Sequence, residues 1–288
     1  MIDQDIQNTI CNTIIPALCR SAQTQASPVA SCSALPTSCS SDYYWIRSRN
    51  GTAVQVYCDM DRVCGCSSTG GWTSTANLNM SDPSQLCPGE WSLQTYSSEP
   101  RRLCGGGNSG AGCASTIYST YGISYSQVCG RVVGFQQTAP DAFGGSTESI
   151  EGPYVDGVSL THGPPGARQH IWSFAAGLSE LVQPSYPTLS CPCVSGTTAP
   201  SFVGNDYFCE SGNPVTTLAS MLYASDPLWD GQGCGSSSCC EFSSPVTAPW
   251  FCKQLPQATT DDIEVRICRD EAITNEDSPV QLIELYIR

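Results

Sequence analysis

The residues best suited to chemistry in this 288-residue chain are acids on short loops. Asp206 and Glu210 flank Tyr207-Phe208, and Asp226 and Asp230 flank Pro227-Leu228-Trp229. Both pairs have cysteine neighbours that would fix the backbone. Ca²⁺ takes hard carboxylate and carbonyl oxygens held in this way. The four acids are therefore candidate metal ligands, and Ca²⁺ is the one cofactor expected. Asp59-x-Asp61 is a weaker pair of the same kind. The competing reading makes all of these acids turn-formers and surface charge.

Nucleophilic catalysis has little to work with. His162 and His170 are the only histidines. No serine sits in a nucleophile-elbow pattern, and the Gly-rich stretches lack the Lys-Ser/Thr of a phosphate loop. A histidine base beside a reactive cysteine is the remaining combination, but the cysteines are expected to be oxidised. The chain is read as not an enzyme, with His162 a loop residue and His170 a core or edge residue.

Sulfur sets the compartment. The chain has 19 cysteines and only 13% charged residues. Such thiols persist as staples in an oxidising environment, which makes the protein secreted and extracellular. The disulfide candidates are Cys32, Cys39, Cys58, Cys64, Cys66, Cys87, Cys104, Cys113, Cys129, Cys191, Cys193, Cys209, Cys234, Cys239, Cys240, Cys252 and Cys268. Cys64-x-Cys66, Cys191-x-Cys193 and Cys239-Cys240 are spaced too tightly for the usual structural zinc site. A net charge of −14 argues against a nucleic-acid partner. No run approaches the roughly 18 apolar residues of a membrane span. The first 20 residues do not read as a signal peptide, because acids stand where a basic region belongs. Asn50-Gly51-Thr52 and Asn79-Met80-Ser81 fit the N-glycosylation pattern.

These groups need elements to hold them. Ile2, Ile6, Ile10, Ile14 and Leu18 recur every fourth position, an apolar helical stripe that Pro16 should kink or stop. Residues 20–31 look like a polar linker, so residues 1–29 form a helix and tether ahead of a body spanning 30–288. Cys11 and Cys19 are the interchain disulfide candidates, since an odd cysteine total leaves at least one thiol without an intrachain partner. Either the helix joins copies of the chain or it docks on its own body.

Tyr43-Tyr44-Trp45-Ile46 and Val54-Gln55-Val56-Tyr57 bracket Asn50-Gly51, the pattern of a β-hairpin with a tight turn. A bridge from Cys32 or Cys39 to Cys58 would tie its ends. Residues 71–129 read as loop-rich, irregular backbone held by Cys87, Cys104 and Cys113. Residues 128–177 read as core strands, with Asp156-Gly157 a kink or bulge signal. The run at 170–176 could also suit a helix, and strand is preferred because Gly163 to Gly166 and Gly177 punctuate it closely. Residues 184–256 again read as Pro-, Gly- and Cys-rich. The chain ends in an expected hairpin. Ile263, Val265 and Ile267 alternate with Glu264 and Arg266 in a strand with one wet face, and Val280 to Ile287 is the more central strand.

A cysteine followed by YYWI, NG, VYCDM and GGW within residues 32–72 resembles the opening of a fibrinogen-like domain, which intelectins share. GFQQTAPDAF, YVDGVSLTHG, RQHIWSFAAG and the PLWDGQGCG block resemble cysteine-rich modules of invertebrate extracellular proteins with the same opening. The resemblance implies an α+β fold: a disulfide-rich fibrinogen-like domain with a central antiparallel sheet, long loops and an N-terminal helix. Tyr207, Phe208 and Glu210 also resemble the intelectin segment whose glutamate contacts calcium and sugar, although that family's adjacent histidine pair is missing. Two functions are expected. One is an extracellular structural protein that self-associates into an oligomer or fibre in the matrix. The other is a calcium-dependent, lectin-like module that binds glycans.

Overall fold

The computed structural model describes residues 15–61, 70–96, 99–106, 112–136, 140, 142–143, 149–177, 199–210, 250–269 and 278–288. Thirteen strands in these residues form two sheets. The first holds β1 (Asp42–Arg47), β2 (Ala53–Asp59), β3 (Trp72–Asn79), β4 (Ser92–Tyr96), β5 (Glu99–Gly105), β7 (Tyr125–Gly134), β11 (Phe251–Thr259) and β13 (Val280–Ile287). The second runs β10 (Tyr207–Glu210), β9 (Gln169–Ala176), β8 (Gly157–His162), β12 (Ile263–Arg269), β6 (Gly112–Tyr118). Every pairing is antiparallel except β10 with β9.

The expected α+β class is therefore wrong. Among the described residues the only α-helix is α1 (Ile15–Ala22). Pro16 stands in its first turn, where a missing N–H is tolerated. Ile2, Ile6, Ile10 and Ile14 lie outside the described residues. The region 71–129 carries β3 to β6 and the start of β7 rather than irregular backbone. Its strands are built from Ser, Thr, Asn and Gly with few large apolar residues, so their alternation is faint in sequence.

The sandwich core lies between the sheets. Ile46, Val56, Leu78, Val128, Val132, Ile283, Leu285 and Ile287 come from the first sheet. Val158, Leu160, Ile171, Phe174, Ile263, Val265 and Ile267 come from the second. The approach is close at Gly134, where a Cβ would meet the Phe174 ring at 2.8 Å.

The hairpin at β1–β2 forms as expected, with Tyr43 opposite Tyr57 and Ile46 opposite Val54. Gly51, at φ 85°, takes the left-handed position of its turn. The expected C-terminal hairpin does not form. β12 lies between β8 and β6 in the second sheet, whereas β13 lies between β3 and β7 in the first. Alternation fixes which face of a strand is apolar but not which strand lies beside it. β13 is central, as its apolar run implies.

Nor does β12 have a wet face. Every residue from Ile263 to Arg269 is buried. A third layer covers the outer side of the second sheet, with Phe143, Tyr154, Val155 and Val203 packing on Ala175, Cys209 and Cys268.

Candidate functional site

The outer face of the first sheet carries the site. In β1, Tyr44 and Ile46 enter the core, so Tyr43 and Trp45 point the other way. Register then sets Tyr57 beside Tyr43 and Gln55 beside Trp45. In β13, Ile283, Leu285 and Ile287 are inward, so Glu284 and Tyr286 face out. Asn77 lies opposite Glu284, and Ser74 lies opposite Tyr286. A bulge between Leu285 and Tyr286 adds Thr75. All of these except Trp45 line a groove of about 490 Å³, joined by Tyr121 from the β6–β7 turn.

The rings of Tyr43 and Tyr57 meet edge to face with centroids 5.5 Å apart, and Tyr43 is 56% exposed. Beyond Glu284, Arg131 donates from Nε to the Glu284 carboxylate and lies 4.9 Å from the centroid of Trp250. Trp250 in turn lies 6.1 Å from Tyr286. Burial, then the nearby Glu284 charge, pushes the Tyr286 hydroxyl up to about 12. Burial and Asp59 raise Tyr57 as well. Both hydroxyls keep their protons at neutral pH and can donate. The groove thus offers aromatic rings interleaved with amide, hydroxyl and carboxylate groups.

A second cleft, about 530 Å³, opens on the outer side of the other sheet and contains both histidines with Arg168, Gln169, Phe202 and Lys253. A bulge in the β8–β9 register, between Leu160 and Thr161, turns Ile171 and Trp172 both into the core. His170 and Ser173 are thereby left together, with His170 Nε2 2.8 Å from Ser173 Oγ. Burial, reinforced by Lys253, pulls His170 down to about 3, so it is neutral. Ser173 is wholly buried, so the contact presents no nucleophile to solvent. His162 Nδ1 lies 3.0 Å from Asp261 Oδ2. Lys253 donates to Asp206, and Arg168 donates to Glu264 and Glu151. The cleft's cations are already engaged by acids.

The acids expected to bind calcium do not gather among the described residues. Asp206 is the ion-pair partner of Lys253. Glu210 ends β10, and its side chain lies outside the described residues, as do Asp226 and Asp230. No group of three His, Cys, Asp or Glu side chains is placed to hold a metal among the described residues.

Among the described residues, disulfides join Cys19 to Cys39, Cys32 to Cys58, Cys87 to Cys104 and Cys113 to Cys268. Cys129 and Cys252 are also disulfide-bonded, and Cys209 is buried. The bridge at the hairpin's ends is Cys32 to Cys58. Cys19 is not an interchain cysteine: it bonds Cys39, and α1 docks on the body with Ala22 fully buried and Gln23 donating to Asp42. Cys11, Cys64, Cys66, Cys191, Cys193, Cys234, Cys239 and Cys240 lie outside the described residues. Asn50 and Asn79 are both exposed. No described helix is long and apolar enough to cross a membrane.

In the sequence Tyr43 and Tyr57 stand out only as strand formers, and Asn77, Tyr121 and Tyr286 do not stand out at all. Strand alternation marks Tyr286 as outward once the inward Ile and Leu of β13 are assigned. Tyr121 has its own signal in the Tyr-Gly dipeptide of a tight turn. No family model matches the chain, and no curated protein matches it.

Proposed function

We propose that this protein is an extracellular, disulfide-stapled recognition module that binds neutral glycans in the groove on the outer face of its eight-stranded sheet. The observation that carries this reading is the convergence of Tyr43, Tyr57, Tyr121 and Tyr286 with Gln55, Asn77 and Glu284. Most small-molecule sites are predominantly apolar with few polar groups. This groove alternates rings with hydrogen-bonding side chains. A sugar ring matches such a surface, with C–H faces for aromatic rings and hydroxyls for amides and carboxylates. The net charge of −14 disfavours sulfated or sialylated ligands. The disulfides support an extracellular setting, as does the likeness of residues 32–72 to a fibrinogen-like opening.

The test is a screen of the full chain, produced through a secretory pathway, against immobilised neutral and acidic glycans with calcium and with chelator. Binding to neutral glycans that survives chelation and is lost in Tyr57→Ala and Tyr286→Ala supports the reading. Loss on chelation would move the site to the acidic loops, and no glycan binding would end the reading.

A second reading, covalent self-assembly, draws on Cys11 and the odd cysteine total. Disulfide-linked multimers on a non-reducing gel that disappear in Cys11→Ser support it. A monomer under both reducing and non-reducing conditions overturns it.

A further inference from the structure

The turn between β6 and β7 is Thr120-Tyr121-Gly122-Ile123, closed by the Ile123 N–H donating to the Thr120 carbonyl at 3.0 Å. Tyr121 and Gly122 have φ of 58° and 68°. Two consecutive left-handed residues define a type I′ turn, in which Asn-Gly is the favoured pair. Gly122 is required on two counts, because an added Cβ would also lie 2.4 Å from Arg49 Cβ. Tyrosine at the first position is the anomaly, since its Cβ opposes a conformation that Asn or Gly tolerates.

The surroundings hold this backbone in place. The Tyr121 carbonyl accepts from the Arg49 N–H at 3.0 Å, and the Tyr121 N–H donates to Ser119 Oγ at 3.0 Å. Next to it, the Thr120 N–H donates to Asp262 Oδ1 at 2.8 Å. Only one other described non-glycine residue has positive φ: Ala142, which is fully buried beneath the outer layer. Tyr121 is half-buried and lines the groove. Backbone strain that surrounding structure holds in place clusters at binding sites.

We infer that Tyr121 is a ligand-contacting residue of the glycan groove, kept at a turn position that would be more stable with asparagine. The inference rests on the glycan reading and names a contact residue of that site. The main core also touches the Tyr121 ring, so the test must separate packing from binding.

The full chain and its Tyr121→Asn, Tyr121→Phe and Tyr57→Ala variants are titrated with cellohexaose, chitohexaose and mannohexaose, and melted in parallel. The expected result is that Tyr121→Asn weakens binding by about tenfold or more, while Tyr121→Phe, which keeps the ring, retains most of it. The Asn variant should still fold, with a Tm close to or above that of the parent. An Asn variant that binds as tightly as the parent while Tyr57→Ala loses binding overturns the inference and leaves the glycan reading standing. An Asn variant that cannot fold overturns it too, because the ring would then be a structural requirement. A parent chain that binds neither these sugars nor the wider panel removes the glycan reading and this inference with it.

Discussion

Arg168, the residue before β9, holds Glu264 in β12 through two nitrogens, with Nε 2.5 Å from Oε2 and Nη2 3.0 Å from Oε1. Its third nitrogen donates to Glu151. Thr161 Oγ1 also donates to Glu264, at 3.1 Å. Burial alone would raise Glu264, but the bonds from Arg168, Ser115 and Thr161 outweigh it and keep the carboxyl below its ordinary range. Glu264 also raises Arg168 through its hydrogen bonds. Two residues on, Arg266 donates to the carbonyls of Ile150, Glu151 and Gly152. The charged positions of β12 therefore tie a covering segment to the sheet.

Arg168→Met would leave Glu264 buried without its cation. Removing one partner of a buried pair typically costs about 3–5 kcal/mol. The double variant Arg168→Met/Glu264→Met should recover part of that loss, because the buried Glu264 charge goes with its partner and only the more exposed Glu151 loses its cation. Urea unfolding of the two single variants and the double variant measures the coupling. Equal stability of parent and Arg168→Met would show that the pair does not hold this layer.

His170 makes the fold sensitive to mild acid. Its ordinary value is 6.5, and burial lowers it to about 3 in the folded protein. Below about pH 6.5 the unfolded chain takes up a proton that the folded protein does not, so stability falls as pH drops, by up to about 1.4 kcal/mol per pH unit. Between about pH 6.5 and 4.5 most carboxylates are still ionised, so the histidine term stands out. The loss over that window should be about 2 kcal/mol and should largely vanish in His170→Gln. Urea midpoints across the window check it, and identical slopes in the two proteins would refute it.

The sequence showed those elements whose signals are local. The β1–β2 hairpin was legible because Asn50-Gly51 sits between two aromatic, β-branched runs. The strand at 169–176 was legible from the glycines that bound it. β12 and β13 were each legible as strands, but their separation into different sheets was not, since partners are chosen by the whole core. The polar face of Glu264 and Arg266 was read as wet because alternation cannot reveal that residues 149–154 and Arg168 cover it. The groove was missed for a related reason. Tyr43, Tyr57, Asn77, Tyr121 and Tyr286 come from four strands and a turn, and only the sheet register brings them together.

The disulfides should differ in worth. Cys113–Cys268 closes a separation of 155 residues and joins β6 to β12, whereas Cys87–Cys104 closes only 17. In the chain-entropy account a bridge stabilises by restricting the unfolded chain, giving about 5 kcal/mol for the long loop and about 3 kcal/mol for the short one. Replacing both cysteines of the long bridge with serine should therefore lower stability by about 2 kcal/mol more than the same change at the short bridge. Denaturant midpoints of the two variants decide the order, and the reverse order would mean that native-state strain, not loop length, dominates.

The two sequons are exposed and place any attached glycan differently. Asn50 uses Oδ1 to accept from the Thr52 N–H at 2.9 Å and from Ser48 Oγ at 2.6 Å, and Asn79 uses Oδ1 to accept from the Ser81 N–H at 3.1 Å. These bonds leave the amide nitrogens, the glycan-accepting atoms, out of account. Material from a secretory host should lose mass on enzymatic deglycosylation, with Asn50→Gln and Asn79→Gln each removing one step. Asn79 lies two residues from Asn77 on the same strand, so its side chain shares the outer face with the groove. A glycan there would crowd the ligand, and Asn79→Gln should raise affinity for soluble sugar while Asn50→Gln leaves it unchanged. Equal affinity of glycosylated parent and Asn79→Gln would place the ligand away from that end of β3.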